Sequence, residues 1–178
     1  MKIKRRVGRE RALQLLCQFD MNPPQDIDAA IKGFWELEQS AADEDTSLNA
    51  QDGGLPGAEI RGAAALPPEE RAFTEERARG AWEARKELDV LLESVIKNWE
   101  IYRLGTVERN TLRLGAWEIL NKREVPSAVV VNEAVDLAKY FSSSGAGRFV
   151  NGVLDKIVHE RRNGRGKPES AAEKADAE

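Results

Sequence analysis

One cysteine and one histidine stand in this chain of 178 residues. Cys17 alone excludes an intrachain disulfide, and with only His159 beside it an all-Cys/His zinc site of the usual kind is excluded too. Cys17 lies among helical apolar positions, where a buried, inert thiol is expected. Aromatics make up only 6% of the chain, so the apolar fraction is carried by aliphatic residues and alanine. No apolar run approaches the roughly 20 residues that cross a bilayer. The opening MKIKRRVGRE lacks the apolar core of a signal peptide, so a cytoplasmic location and no membrane partner are expected. No strand pattern precedes a glycine-rich phosphate loop. Glu133 and Asp136, three apart on a helix, read as a solvated face rather than an acid/base pair, and His159 as a surface residue that suits the end of a helix dipole. No catalytic residue, no metal ligand and no cofactor site are expected, and therefore no enzyme.

Charge is plentiful, a third of all residues, and unevenly spread. The net −4 conceals a basic end: residues 1–12 hold Lys2, Lys4, Arg5, Arg6, Arg9 and Arg11 against Glu10 alone, a net +5. Residues 36–76 hold eleven acids against Arg61 and Arg71, a net −9. The acidic total thus says little about partners, because a local basic end can still bind an anion.

Hydrophobic spacing is helical throughout. Ala12, Leu15, Leu16 and Phe19 form one stripe of a first helix over about 7–21, stopped by Asn22-Pro23-Pro24. A second helix starts near Asp26 and carries Ile31, Phe34, Trp35 and Leu37. From Ala41 to Pro68 large apolar residues nearly vanish and three prolines occur, a composition that cannot offset its ordering entropy. A flexible acidic insertion is expected there. Order resumes near Glu69 with a long helix, interrupted near Gly80, whose face is Ala81, Ala84, Leu88, Leu91, Leu92, Val95, Ile96 and Trp99. Another helix spans about 106–121. Pro126 suits the first turn of the next, in which Val131, Ala134, Val135, Ala138 and Phe141 keep the helical period although the valine run favours strand by propensity. The Ser/Gly stretch 142–147 ends that helix and can cap the last one. The polar tail 163–178 is expected to be disordered. The fold class is all-α, six or seven helices in one domain over 1–162.

The last helix contains RFVNGVLDKI. Its Asn151-Gly152 pair is a hairpin signal, but Phe149, Val150, Val153, Leu154 and Ile157 repeat at helical spacing. A glycine inside a helix costs about 1 kcal/mol relative to alanine, and close approach of a neighbouring helix is the expected compensation at Gly152.

The basic end is the main candidate site. On one helix Lys2, Arg5, Arg6 and Arg9 fall within an arc of roughly 100°. Cations at a helix N-terminus oppose the dipole, so the cluster has a use elsewhere or frays into an arm. Guanidinium and ammonium groups suit phosphate oxygens.

RRVGRERALQLLCQFD, together with LGTVERNTLRLGAWEIL, VPSAVVVNEAVDLAKYF and RFVNGVLDKI, closely resembles the NusB family of bacterial transcription antitermination factors. The resemblance covers the two ends of the chain well and the middle loosely. It implies an all-α fold of two packed helical subdomains. It also implies binding to the single-stranded boxA element of nascent ribosomal transcripts, pairing with the ribosomal protein NusE, and action on RNA polymerase, the free protein being a monomer or homodimer. RNA contacts implied by the resemblance fall on Lys4, Arg5, Arg6 and Arg9 at the basic end and on Arg148 and Phe149 in the last helix. Glu108 falls in the region that meets NusE. From the residues alone Phe149 is equally well a core side chain. Two departures stand out: Cys17 replaces a tyrosine common in relatives, and the Ser/Gly linker lacks the acids common before FVNG. The competing readings are a helical adaptor that binds protein but no RNA, and the NusB-like domain of ribosomal RNA cytosine methyltransferases, which would need a further cofactor domain.

Overall fold

The computed structural model describes residues 5–48, 66–96 and 100–163. Among them the secondary structure is helical throughout: α1 (Arg5–Met21), α2 (Ile27–Leu48), α3 (Pro68–Glu83), α4 (Arg85–Val95), a 3₁₀ turn (Ile101–Arg103), α5 (Thr106–Asn121), α6 (Ser127–Phe141) and α7 (Ser144–Arg162). The chain divides into two compact units, Met1–Arg79 and Gly80–Glu178. Lys4, Trp99, the stretch 49–65 and the tail 164–178 lie outside the described residues.

In the first unit, α1 buries Ala12, Leu13, Leu15, Leu16 and Phe19. The start of α2 is fixed by Asp26, whose carboxylate accepts from the N–H groups of Asp28 and Ala29 at 2.9 and 3.1 Å, an N-cap that satisfies two orphan donors. Ile31, Phe34 and Trp35 of α2 turn inward as their spacing predicts, whereas Leu37 is 69% exposed. The helix continues to Leu48, into the segment that composition reads as an insertion. Low apolar content limits burial, not helix propensity, and alanine and glutamate are good helix formers. Pro68 opens α3 with Glu69 and Glu70 in the first turn, where carboxylates suit the dipole. The indole N–H of Trp35 donates to Glu75 at 2.8 Å and ties α2 to α3. Arg11 ties α1 to α2 through Glu38 at 2.9 Å.

In the second unit, α5 is the central helix, buried from Asn110 to Ile119 and packed against α4, α6 and α7. Two of its buried polar members, Arg113 and Asn110, have specific partners. Arg113 forks onto both oxygens of Asp89 on α4 at 2.7 and 2.8 Å and reaches Asn110 at 3.1 Å. Asn110 in turn donates to the Thr106 carbonyl at 2.9 Å. The break before α4 falls at Ala84 rather than near Gly80, which is helical. A Cβ on Gly80 would collide with the indole of Trp117, so this glycine makes room for an aromatic and does not end the helix. Pro126 is the N-cap of α6 rather than a member of its first turn. The Ser143 hydroxyl caps α7, accepting from the Ala146 N–H at 3.2 Å.

Gly152 corrects the close-packing expectation. It is exposed, and a Cβ built on it meets nothing within 4 Å. The close approach among the last three helices occurs at Gly115 instead, where a Cβ would lie 2.7 Å from Leu154 Cδ1. The sequence shows two glycines on helical stripes, and only the pairing of α5 with α7 decides which one is pressed. Cys17 is half-exposed, not buried.

Candidate nucleic-acid interface

The basic end of α1 carries no acid in its first turn, so its N–H groups and its arginines add positive potential rather than cancel it. The arc expected for these residues splits in the structure. Arg5 and Arg6 are exposed, and Arg6 pairs loosely with Glu10 at 3.4 Å. Arg9 is only 4% exposed, and Arg11, which is buried as well, bonds Gln14 and Glu38. Helical period predicts direction along α1 but not which neighbour covers it. That neighbour is α3. Gly8 faces it so closely that a Cβ would stand 2.6 Å from Phe73 Cδ1, and the Thr74 hydroxyl lies 3.1 Å from the Gly8 carbonyl. The crossing brings the guanidinium carbons of Arg5 and Arg9 to 5.9 and 5.5 Å from the Phe73 ring centroid. Arg77, one turn on from Phe73, stacks on the same ring at 3.3 Å. Phe73 and Arg77 are absent from the residues picked out in the sequence. Their signal was present as an aromatic and an arginine four apart, a pair that meets on a helix surface.

In the second unit, the corner between α6 and α7 gathers the other candidates. Ser142 donates from its hydroxyl to the Glu108 carboxylate, and that carboxylate folds back over Gly105, the N-cap of α5. Glu108 therefore joins the start of α5 to the end of α6, a structural duty that spacing alone does not reveal. Lys139 lays its aliphatic stem over Gly147, where a Cβ would approach its Cγ at 2.8 Å, and so locks the ends of α6 and α7 together. Arg148 is exposed and Phe149 half-buried in the second turn of α7. Tyr140, 61% exposed, packs edge-on against Phe141 with centroids 4.8 Å apart. Cations, glycines and half-covered aromatics thus share this corner.

An all-helical fold with an arginine-rich helix end and a basic, aromatic helix corner has the equipment of a nucleic-acid-binding adaptor: guanidinium groups for phosphates and ring faces for bases. The sequence profile described as the NusB family matches residues 6–159, and the chain belongs to that family. It is similar to the transcription antitermination protein NusB of Desulfitobacterium hafniense, 34% identical over 157 residues that cover 88% of each chain. Among solved structures, T. maritima NusB is similar at a TM-score of 0.68 and 25% identity, covering 90% of this chain and 94% of that one. A crystal structure of antitermination factors NusB and NusE in complex with dsRNA is similar at a TM-score of 0.65 and 25% identity, covering 89% and 98%.

Proposed function

We propose that this protein is a non-catalytic, cytoplasmic antitermination factor that binds boxA-type single-stranded RNA of nascent ribosomal transcripts, pairs with NusE and acts on RNA polymerase. The observation that carries the RNA reading is the exposed pair Arg5 and Arg6 at an α1 terminus free of acids in its first turn. Family membership and the likeness to a NusB assembled with NusE and RNA support the partners. Among the described residues no helix is long and apolar enough to cross a membrane.

In this reading Arg5 and Arg6, with Lys4 ahead of them, meet phosphates, and Arg9 supports them from beneath. Arg148 adds a phosphate contact and Phe149 a stacking face at the α6–α7 corner. Glu108 presents charge to NusE from the start of α5. Phosphate contacts position a strand, while base contacts select its sequence, so discrimination is assigned to the α6–α7 corner and affinity mainly to α1. A second reading, a helical adaptor that binds protein but not RNA, draws on the burial of Arg9 and Arg11, which removes two guanidinium groups from the surface. The deciding experiment is a titration of boxA-type RNA against a scrambled RNA, with and without NusE. Preference for boxA, strengthened by NusE, is expected. NusE binding with no RNA affinity would leave the adaptor.

A further inference from the structure

Phe73 is the only aromatic ring among the described residues with three guanidinium groups gathered on it. Arg77 stacks at 3.3 Å, Arg9 stands at 5.5 Å and Arg5 at 5.9 Å. Three like charges around one ring repel one another, and two of them, Arg9 at 4% and Arg77 at 3% exposure, have lost most of their water. Glu76 neutralises Arg77 in part through a contact at 3.1 Å. The π face of Phe73 is the shared attractive element for all three. The ring could not reach this place if residue 8 had a side chain, because Gly8 is the point where α1 lies against it. The Thr74 hydroxyl, on the next residue, holds the same crossing by its contact with the Gly8 carbonyl.

Resting on the RNA-binding reading above, we infer that Phe73 is a positioning residue of the RNA site: its ring holds Arg9 beneath and Arg5 at the surface in the arrangement in which a phosphate meets Arg5, and Arg77, one turn further along α3, braces the ring. A long arginine side chain fixed on a ring surrenders less rotamer freedom when it binds than one moving in water. The ring thus pre-arranges positive charge that α1 alone, with its N-terminus repelling cations, would scatter.

The test compares Phe73→Leu, which keeps an apolar side chain without a π face, and Phe73→Tyr, which keeps the face, with the full-length wild type. A single-stranded boxA-type RNA is the ligand. Phe73→Leu is expected to bind about five- to tenfold more weakly at fixed salt while its melting temperature stays within a few degrees. Phe73→Tyr is expected to restore affinity to within about twofold. A double-mutant cycle with Arg5→Gln should give losses that are clearly less than additive, since both changes disable one element. Full additivity, or a leucine variant that binds as the wild type does, overturns the inference. Should the leucine variant melt early, the wild type alone decides: the Arg5 and Arg9 side-chain proton resonances should be shifted upfield by the ring and move when RNA is added. Resonances at solvent-exposed positions overturn it. Failure of the wild type to bind any RNA overturns the underlying RNA reading instead.

Discussion

The Thr74 hydroxyl stands 3.1 Å from the Gly8 carbonyl and 2.8 Å from the carbonyl of Glu70, so one buried side chain bridges the backbones of α1 and α3. This contact fixes how deeply α1 sinks onto α3. Gly8→Ala would put a methyl 2.6 Å from the Phe73 ring and force the helices apart. A loss of about 1–3 kcal/mol is expected from overpacking, despite the better helix propensity of alanine. Thermal unfolding checks it, and a variant as stable as the wild type would mean the crossing is loose.

Gly115 and Gly152 make opposite predictions for one chemical change. Gly115→Ala presses on Leu154 Cδ1 at 2.7 Å and should destabilise by about 1–3 kcal/mol. Gly152→Ala faces open space on a helix interior and should stabilise by up to about 1 kcal/mol. Denaturant midpoints measured side by side decide between them. Destabilisation at Gly152 would restore the close-packing expectation.

The Arg113–Asp89 fork joins α4 to the buried centre of the second unit, with the Arg113 side chain 7% exposed. Asp89→Ala leaves that guanidinium buried without its carboxylate, and breaking such a pair costs about 3–5 kcal/mol. Asp89 itself is partly solvated, which places the expected loss at the lower end. Urea unfolding of Asp89→Ala measures it, and a loss below about 1 kcal/mol would show that water replaces the carboxylate.

Most of the helices were legible because their apolar spacing is local information. The second, fifth, sixth and seventh helices begin directly after their caps, Asp26, Gly105, Pro126 and Ser143, and the third opens at Pro68. The site was legible only in part. Arg5 and Arg6 are exposed as expected, but the cover over Arg9 comes from α3, and nothing in the period of α1 encodes which residue of α3 lies opposite. The same is true of Glu108, whose tie to Ser142 joins residues 34 apart in sequence. Gly80 and Gly152 look alike as helix breakers in sequence and differ only in what stands opposite them, the Trp117 indole or solvent.

Phe149 is half-buried beside fully buried Val150, so its ring is partly available above the core. Phe149→Ala is expected to lose about 1–3 kcal/mol of RNA affinity through stacking, with the salt dependence of binding unchanged. Circular dichroism and RNA titration on one sample separate the roles. A variant that unfolds assigns the ring to the core and leaves the RNA contacts to the cations.

The most direct measurement is the salt dependence of boxA-type RNA affinity for the wild type and for Arg5→Ala/Arg6→Ala. With about three phosphates met by Lys4, Arg5 and Arg6, log affinity should fall against log salt with a slope near −2. The double variant should flatten that slope by about one and weaken boxA and scrambled RNA alike, because phosphate contacts carry no sequence information. An unchanged slope in the double variant would contradict the assignment of α1 as the phosphate-binding element.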